Sequence, residues 1–105
     1  MPSVSQSTQP VSTKDVLVPR PPTSGTGGLV SSLLVAANPR RKSLAITNLS
    51  TNIVSFGDGA AAVLYSGISL MSGGVWLMDE YTFSHDAIYV IASGANSLIS
   101  VQEFE

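Results

Sequence analysis

The chain has 105 residues, no cysteine and a formal net charge of −2. That length holds one domain at most. The missing thiols exclude disulfides and thiolate chemistry, and the mild acidity argues against nucleic acid or a membrane as partner.

Apolar residues make up 44% of the chain and charged residues only 11%, against a usual charged share of about 25%. A domain this small cannot hide so much apolar surface inside itself, so a subunit or partner interface is expected. The charges are also segregated. All five Lys and Arg lie between Lys14 and Lys42, and six of the seven acids lie from Asp58 onward. Residues 1–42 therefore carry +4 and residues 43–105 carry −6. Opposite signs favour the leader lying on the body of its own or a neighbouring subunit, mostly fixing register.

Residues 1–28 are rich in Ser, Thr, Gln, Pro and Gly and lack aromatics. They read as an extended or disordered N-terminal arm, because such a segment cannot bury enough apolar surface to offset the entropy of ordering it. Pro19-Arg20-Pro21-Pro22 enforces extended backbone. Val16-Leu17-Val18 is the one β-prone patch, suited to adding as a strand to a sheet edge, and Gly25-Thr26-Gly27-Gly28 reads as a hinge. No charged and apolar leader of the secretory type opens the chain, and no apolar run approaches a membrane span, so a soluble protein made inside the cell is expected.

Residues 29–105 are expected to form the packed domain. Leu29 to Ala37 suits a helix or a strand; its β-branched residues and the Asn38-Pro39 stop favour a first or edge strand. Arg40-Arg41-Lys42 is the only dense positive cluster. Beyond it Leu44, Ile46 and Asn48 point one way and Ser43, Ala45 and Thr47 the other. A second alternation runs through Ile53, Val54, Ser55 and Phe56 to Gly57-Asp58-Gly59. Two such runs around Leu49-Ser50-Thr51-Asn52 predict a β-hairpin, with Leu44, Ile46, Ile53 and Phe56 starting a core. Further strands are predicted at Ile68–Met71, Val75–Asp79, Ala87–Ala92 and Leu98–Phe104, with Ser93-Gly94-Ala95-Asn96 as a hairpin connection. Val75–Asp79, apolar on both faces, reads as a central or interface strand. About six or seven short strands predict an all-β antiparallel sandwich or jelly-roll-like barrel.

Candidate chemistry is thin. Ser84-His85-Asp86 are direct neighbours whose side chains diverge, so they do not make a nucleophile–base–orienter chain. Asp79 and Glu80 face opposite sides of a strand end. Asp58 has the look of a calcium-loop fragment, but the remaining ligand positions are missing and a turn is favoured. One His and no Cys give no zinc spacing. No enzyme activity, metal or cofactor is expected. Trp76 with Tyr81 or Tyr89 is a conceivable sugar-stacking platform, although a lone strand Trp more often packs in a core or interface. Arg40-Arg41-Lys42 reads as a salt-bridging cluster directed at Asp79 or Glu80, across a subunit boundary or within the chain.

Asn38-Pro39-Arg40-Arg41-Lys42-Ser43-Leu44-Ala45-Ile46-Thr47-Asn48 followed by Phe56-Gly57 resembles a recurring pattern in small structural proteins of tailed-bacteriophage virions. Gly67–Gly74, Asp79-Glu80, Ala87–Ala92 and Val101–Phe104 continue the likeness over about residues 38–105. The resemblance is to capsid decoration (cement) proteins and to domains of head or tail fibres. It implies a non-enzymatic β-sandwich or jelly-roll-like module, often trimeric, on the outer surface of a virion assembled in the host cytoplasm.

The expected function is therefore capsid decoration. A homotrimeric module would bind the major capsid protein, or another virion protein, and stabilise the mature lattice by mass action and avidity. The expected partner-binding residues are Val16, Leu17 and Val18 in the arm, Arg40, Arg41 and Lys42 at its junction, and Trp76 and Tyr89 on the body. The alternative is a head- or tail-fibre or neck module that binds a host receptor or glycan through Trp76.

Overall fold

A computed structural model describes residues 17–79 and 83–105. Its elements are β1 (Thr23–Gly27), β2 (Ser32–Val35), β3 (Ser43–Asn48), β4 (Val54–Asp58), β5 (Ile68–Leu70), β6 (Val75–Met78), β7 (Ile88–Ala92) and β8 (Ser97–Phe104). They form two four-stranded antiparallel sheets, in the orders β1-β8-β3-β6 and β2-β7-β4-β5. The fold is an all-β sandwich, as the alternation predicted.

The pairing is nested. β1 pairs with β8, β2 with β7, β3 with β6 and β4 with β5. The chain is thus laid out as one long hairpin that then wraps on itself, bringing β3 beside β8 and β4 beside β7. This is the jelly-roll arrangement. Every connection between consecutive strands except β4 to β5 crosses from one sheet to the other.

Two predicted hairpins are therefore corrected. β3 and β4 lie in different sheets, as do β7 and β8, so Leu49–Asn52 and Ser93–Asn96 are corners that carry the chain across the core. Period-two alternation around turn residues announces two strands in succession, but side-by-side and face-to-face placement satisfy it equally. β6 is an edge strand rather than a central one.

Inward positions follow the alternation. Leu44, Ile46 and Asn48 are buried on β3, and Ile88, Val90 and Ala92 on β7. On β4 the inward pair is Val54 and Phe56, with Ile53 only half-buried. Ile53 and Phe56 are three residues apart, which a strand of period two cannot place on one face. Met78, Ile99, Val101, Leu70 and Val35 complete the core, with Leu34, Trp76 and Phe83 packed against it.

The sequence-based boundary between arm and domain also moves. Thr23–Gly27 is an edge strand paired with Val101–Ser97, and Val18 exchanges both backbone hydrogen bonds with Glu105 at 2.8 Å. The edge addition expected of Leu17-Val18 thus occurs on the chain's own β8; Val16 lies outside the described residues. Of the glycines expected as a hinge, Gly25 and Gly27 are packing positions instead. A Cβ on Gly27 would stand 3.2 Å from Val90 Cγ2, and one on Gly25 2.7 Å from Leu34 Cδ1. Small residues there let an edge strand close over the opposite sheet.

Beyond β4 the chain turns at Gly59 (φ 76°), the left-handed geometry that the Gly-Asp-Gly sequence favours. Residues 60–66 then lie against the outer face of the second sheet. A Cβ on Gly57 would collide with the carbonyl oxygens of Ala60 and Ala61. The Ala62 N–H donates to Ser31 Oγ at 2.9 Å, and the Tyr65 N–H donates to the buried Ser55 Oγ at 2.8 Å.

Candidate partner-binding surfaces

The jelly roll is polar along its length. Every charged side chain among the described residues lies at one end: Arg20 ahead of β1, Arg40 to Lys42 ahead of β3, Asp58 closing β4, Asp79 after β6, Asp86 ahead of β7, and Glu103 and Glu105 at the end of β8. Antiparallel register forces this. Ser43 is opposite Phe104, Leu44 is opposite Met78, and Asp58 is opposite Ile88. Arg41 then bonds the two sheets together at that same end.

Arg41 is wholly buried, against its expected role at a partner contact. Its Nε donates to Glu103 Oε2 at 2.7 Å, Nη1 to the carbonyls of Ser84 (2.7 Å) and Asp86 (2.9 Å), and Nη2 to the carbonyl of Ala36 (2.9 Å). With four of its five N–H donors engaged and no surface exposed, this guanidinium is a structural rivet out of a partner's reach. Arg40 and Lys42 are exposed. Arg40 and Arg20 both reach Glu105, at 3.8 and 3.7 Å, distances at which exposed pairs contribute little. The basic cluster thus meets Glu103 and Glu105 in its own chain; of the two acids expected to receive it, Glu80 lies outside the described residues. The leader and body of opposite sign do meet, within one chain.

Two clefts open at this end. One of about 370 Å³ lies between Arg20, Thr23, Leu34, Ala36 and Glu103. The other, of about 430 Å³, lies between Pro39, Arg40, Lys42, Phe83, His85 and Glu105. His85 stacks against Phe83 with ring centroids 5.0 Å apart, and Ser84 Oγ donates to Asp58 Oδ1 at 2.9 Å, so Ser84, His85 and Asp86 do not converge.

Among the described residues the opposite end bears no charge. Its corners expose Leu29, Val30, Leu49 and Met71, with Val30 74% and Met71 70% accessible. Behind Leu49 and Met71 is a braced polar layer. Asn48, wholly buried, donates through Nδ2 to the carbonyls of Asn52 (2.7 Å), Leu70 (3.1 Å) and Met71 (3.1 Å), and its Oδ1 accepts from the Ser50 N–H and Oγ. Asn52 Nδ2 donates to Ser97 Oγ at 3.0 Å, and Ser97 Oγ donates to the Gly94 carbonyl at 2.8 Å. Three corners are thereby tied together, and two of the four exposed apolar side chains, Leu49 and Met71, stand on them. A surface that is apolar, uncharged and already ordered loses little entropy on binding.

The two predicted aromatic contacts separate. Trp76 turns inward, its ring 5.5 Å from that of Phe56. Tyr89 lies between the wholly buried Ile88 and Val90 and therefore faces outward from the other sheet, opposite Gly57 and Leu33. They cannot form one stacking platform, and Tyr81 lies outside the described residues. Sequence reasoning missed the charge-free end altogether. Its signal was present in Asn48, a polar residue in phase with Leu44 and Ile46.

No protein-family model, no curated protein and no solved structure matches this chain.

Proposed function

We propose that this chain is a non-enzymatic structural protein of a tailed-bacteriophage virion, a capsid decoration protein that binds the outer shell and stabilises it. The observation that carries the reading is the charge-free end, where Leu29, Val30, Leu49 and Met71 stand exposed and a hydrogen-bonded brace holds the corners of Leu49 and Met71. Such a surface suits a dry contact with another protein. The partner is the major capsid protein or another virion protein. A ligand that binds only the assembled lattice stabilises that lattice by mass action, and repeated copies add avidity.

The segregation of charge supports a division of labour. The charged end ties Val18 and Arg20 to the end of β8 and joins both sheets through Arg41, while the uncharged end docks. Arg40 and Lys42 lie far from that contact and contribute at most a steering field.

The test is sedimentation of the purified chain with capsids stripped of accessory proteins. Saturable binding at many copies per particle, with a rise in the temperature at which the shell comes apart, is expected. Leu49→Asp combined with Met71→Asp should abolish binding while leaving the unfolding midpoint within about 0.5 kcal/mol of the parent. Unaltered binding by that variant, or none by the parent, overturns the proposal.

A further inference from the structure

The sandwich has four sheet edges, and three are blunted against pairing. β1 follows directly on Pro21-Pro22, β2 carries a register shift between Leu33 and Val35, and β5 is only three residues long. Prolines, bulges and short length are the devices that keep edges from finding partners. β6, Val-Trp-Leu-Met, is four residues long, has neither proline nor bulge, and carries no charge within it. Among the described residues it pairs with β3 alone.

The direction of its free backbone groups is fixed by what is already bonded. The Asn48 N–H donates to the Gly74 carbonyl at 2.9 Å, and Ser43 Oγ donates to the Met78 carbonyl at 2.8 Å. Both acceptors therefore point toward β3, as does Trp76, which is in phase with them. The N–H and C=O of Val75 and Leu77 point the other way, off the edge. The side chains of Val75 and Leu77 stand on the outer face, 52% and 71% exposed.

We infer that two copies of this chain join edge to edge through β6, antiparallel and centred on Trp76. A two-fold axis there sets Val75 of one copy opposite Leu77 of the other, and the reverse. Those are the residues whose backbone groups are free, so each such pair exchanges both its hydrogen bonds. The Val and Leu side chains meet on the outer face as apolar cross-strand neighbours, and no like charges are brought together. The occupant is a second copy because the edge is complementary to itself under that axis. The result is one eight-stranded sheet spanning two subunits. The contact is small for a stable interface, so association is concentration-dependent. The inference goes beyond the decoration reading and replaces the three copies implied by the family resemblance with two.

The experiment is mass by sedimentation across a concentration series, with paired cysteine cross-linking of the full chain. The parent should approach twice the chain mass at high concentration. Leu77→Lys sets like charges on the seam, and Val75→Pro removes one outward N–H without touching the β3 ladder. Each should lower the association constant about tenfold or more, with Trp76 fluorescence unchanged as the check on folding. Opposed residues of a hydrogen-bonded pair stand about 5.5 Å apart at Cα, within disulfide reach. A mixture of Val75→Cys and Leu77→Cys chains should therefore oxidise to a mixed dimer in preference to either homodimer. A parent that stays monomeric, a three-chain species, or equal cross-linking within each single variant overturns the inference. Capsid binding is read separately, so its failure does not bear on this contact.

Discussion

Arg41 Nε lies 2.7 Å from Glu103 Oε2, joining the residue ahead of β3 to the end of β8 at a point where the guanidinium is wholly buried. The pair does more than neutralise itself, because the remaining donors of Arg41 hold the carbonyls of Ala36, Ser84 and Asp86. It fastens the loop after β2 and the loop before β7 to the first sheet.

Removing the cation should be severe. Arg41→Met leaves three carbonyls and a half-buried carboxylate without their partner, and a broken buried pair costs about 3–5 kcal/mol. Glu103→Gln keeps an acceptor beside Nε and should cost less. Urea unfolding of both variants checks the order; equal losses would mean that the carbonyl contacts of Arg41 contribute little.

Glu105 supplies a pH dependence. The Asn38 side-chain amide, 2.9 Å from Oε2, holds its carboxyl below the ordinary range, and Arg20 and Arg40 pull the same way against partial burial. A depressed folded value means that the contribution is complete above the unfolded value and is lost as pH falls through the folded one. The side-chain carboxyl resonance of Glu105 should titrate below that of an unfolded Glu, and the Asn38 amide resonance should move with it. A midpoint at or above the unfolded value would contradict the clamp. Glu105→Gln should remove the step from the Asn38 signal.

Asn48 is the test of the braced end. Asn48→Ala removes a donor from the carbonyls of Leu70, Met71 and Asn52, of which Met71 keeps the Gly74 N–H and Asn52 the Ser50 Oγ. It should destabilise by roughly 1–3 kcal/mol, the cost of one unsatisfied buried group. Asn48→Asp keeps the shape but turns an acceptor toward those same carbonyls. At neutral pH it should be at least as damaging as the alanine, with partial recovery in acid, where the protonated carboxyl donates once. Thermal unfolding of the two variants at two pH values decides the matter, and indifference of Asn48→Asp to pH would argue against that geometry.

What the chain made legible was its strand content and the faces of its strands. Leu44-Ala45-Ile46-Thr47-Asn48 and Ile88-Tyr89-Val90-Ile91-Ala92 alternate cleanly, and their buried residues are the ones in phase. β1 was not legible, because Thr-Ser-Gly-Thr-Gly has turn-like composition and becomes a strand only where β8 offers it a ladder, with Gly25 and Gly27 packed closely on Leu34 and Val90 of the opposite sheet. The partners of Arg41 were hidden for a similar reason, since Glu103 is 62 residues away along the chain.

The sequence by itself determined that this is a charge-poor all-β protein, because side-chain period and composition are local properties that each strand carries alone. Only the tertiary structure decided that Leu49–Asn52 and Ser93–Asn96 cross between sheets, that Arg41 is a rivet rather than a contact, and that all the described charge gathers at one end. Those outcomes depend on which strands lie side by side. That is settled by burying every inward face at once, a condition on the whole chain that no single stretch of it records.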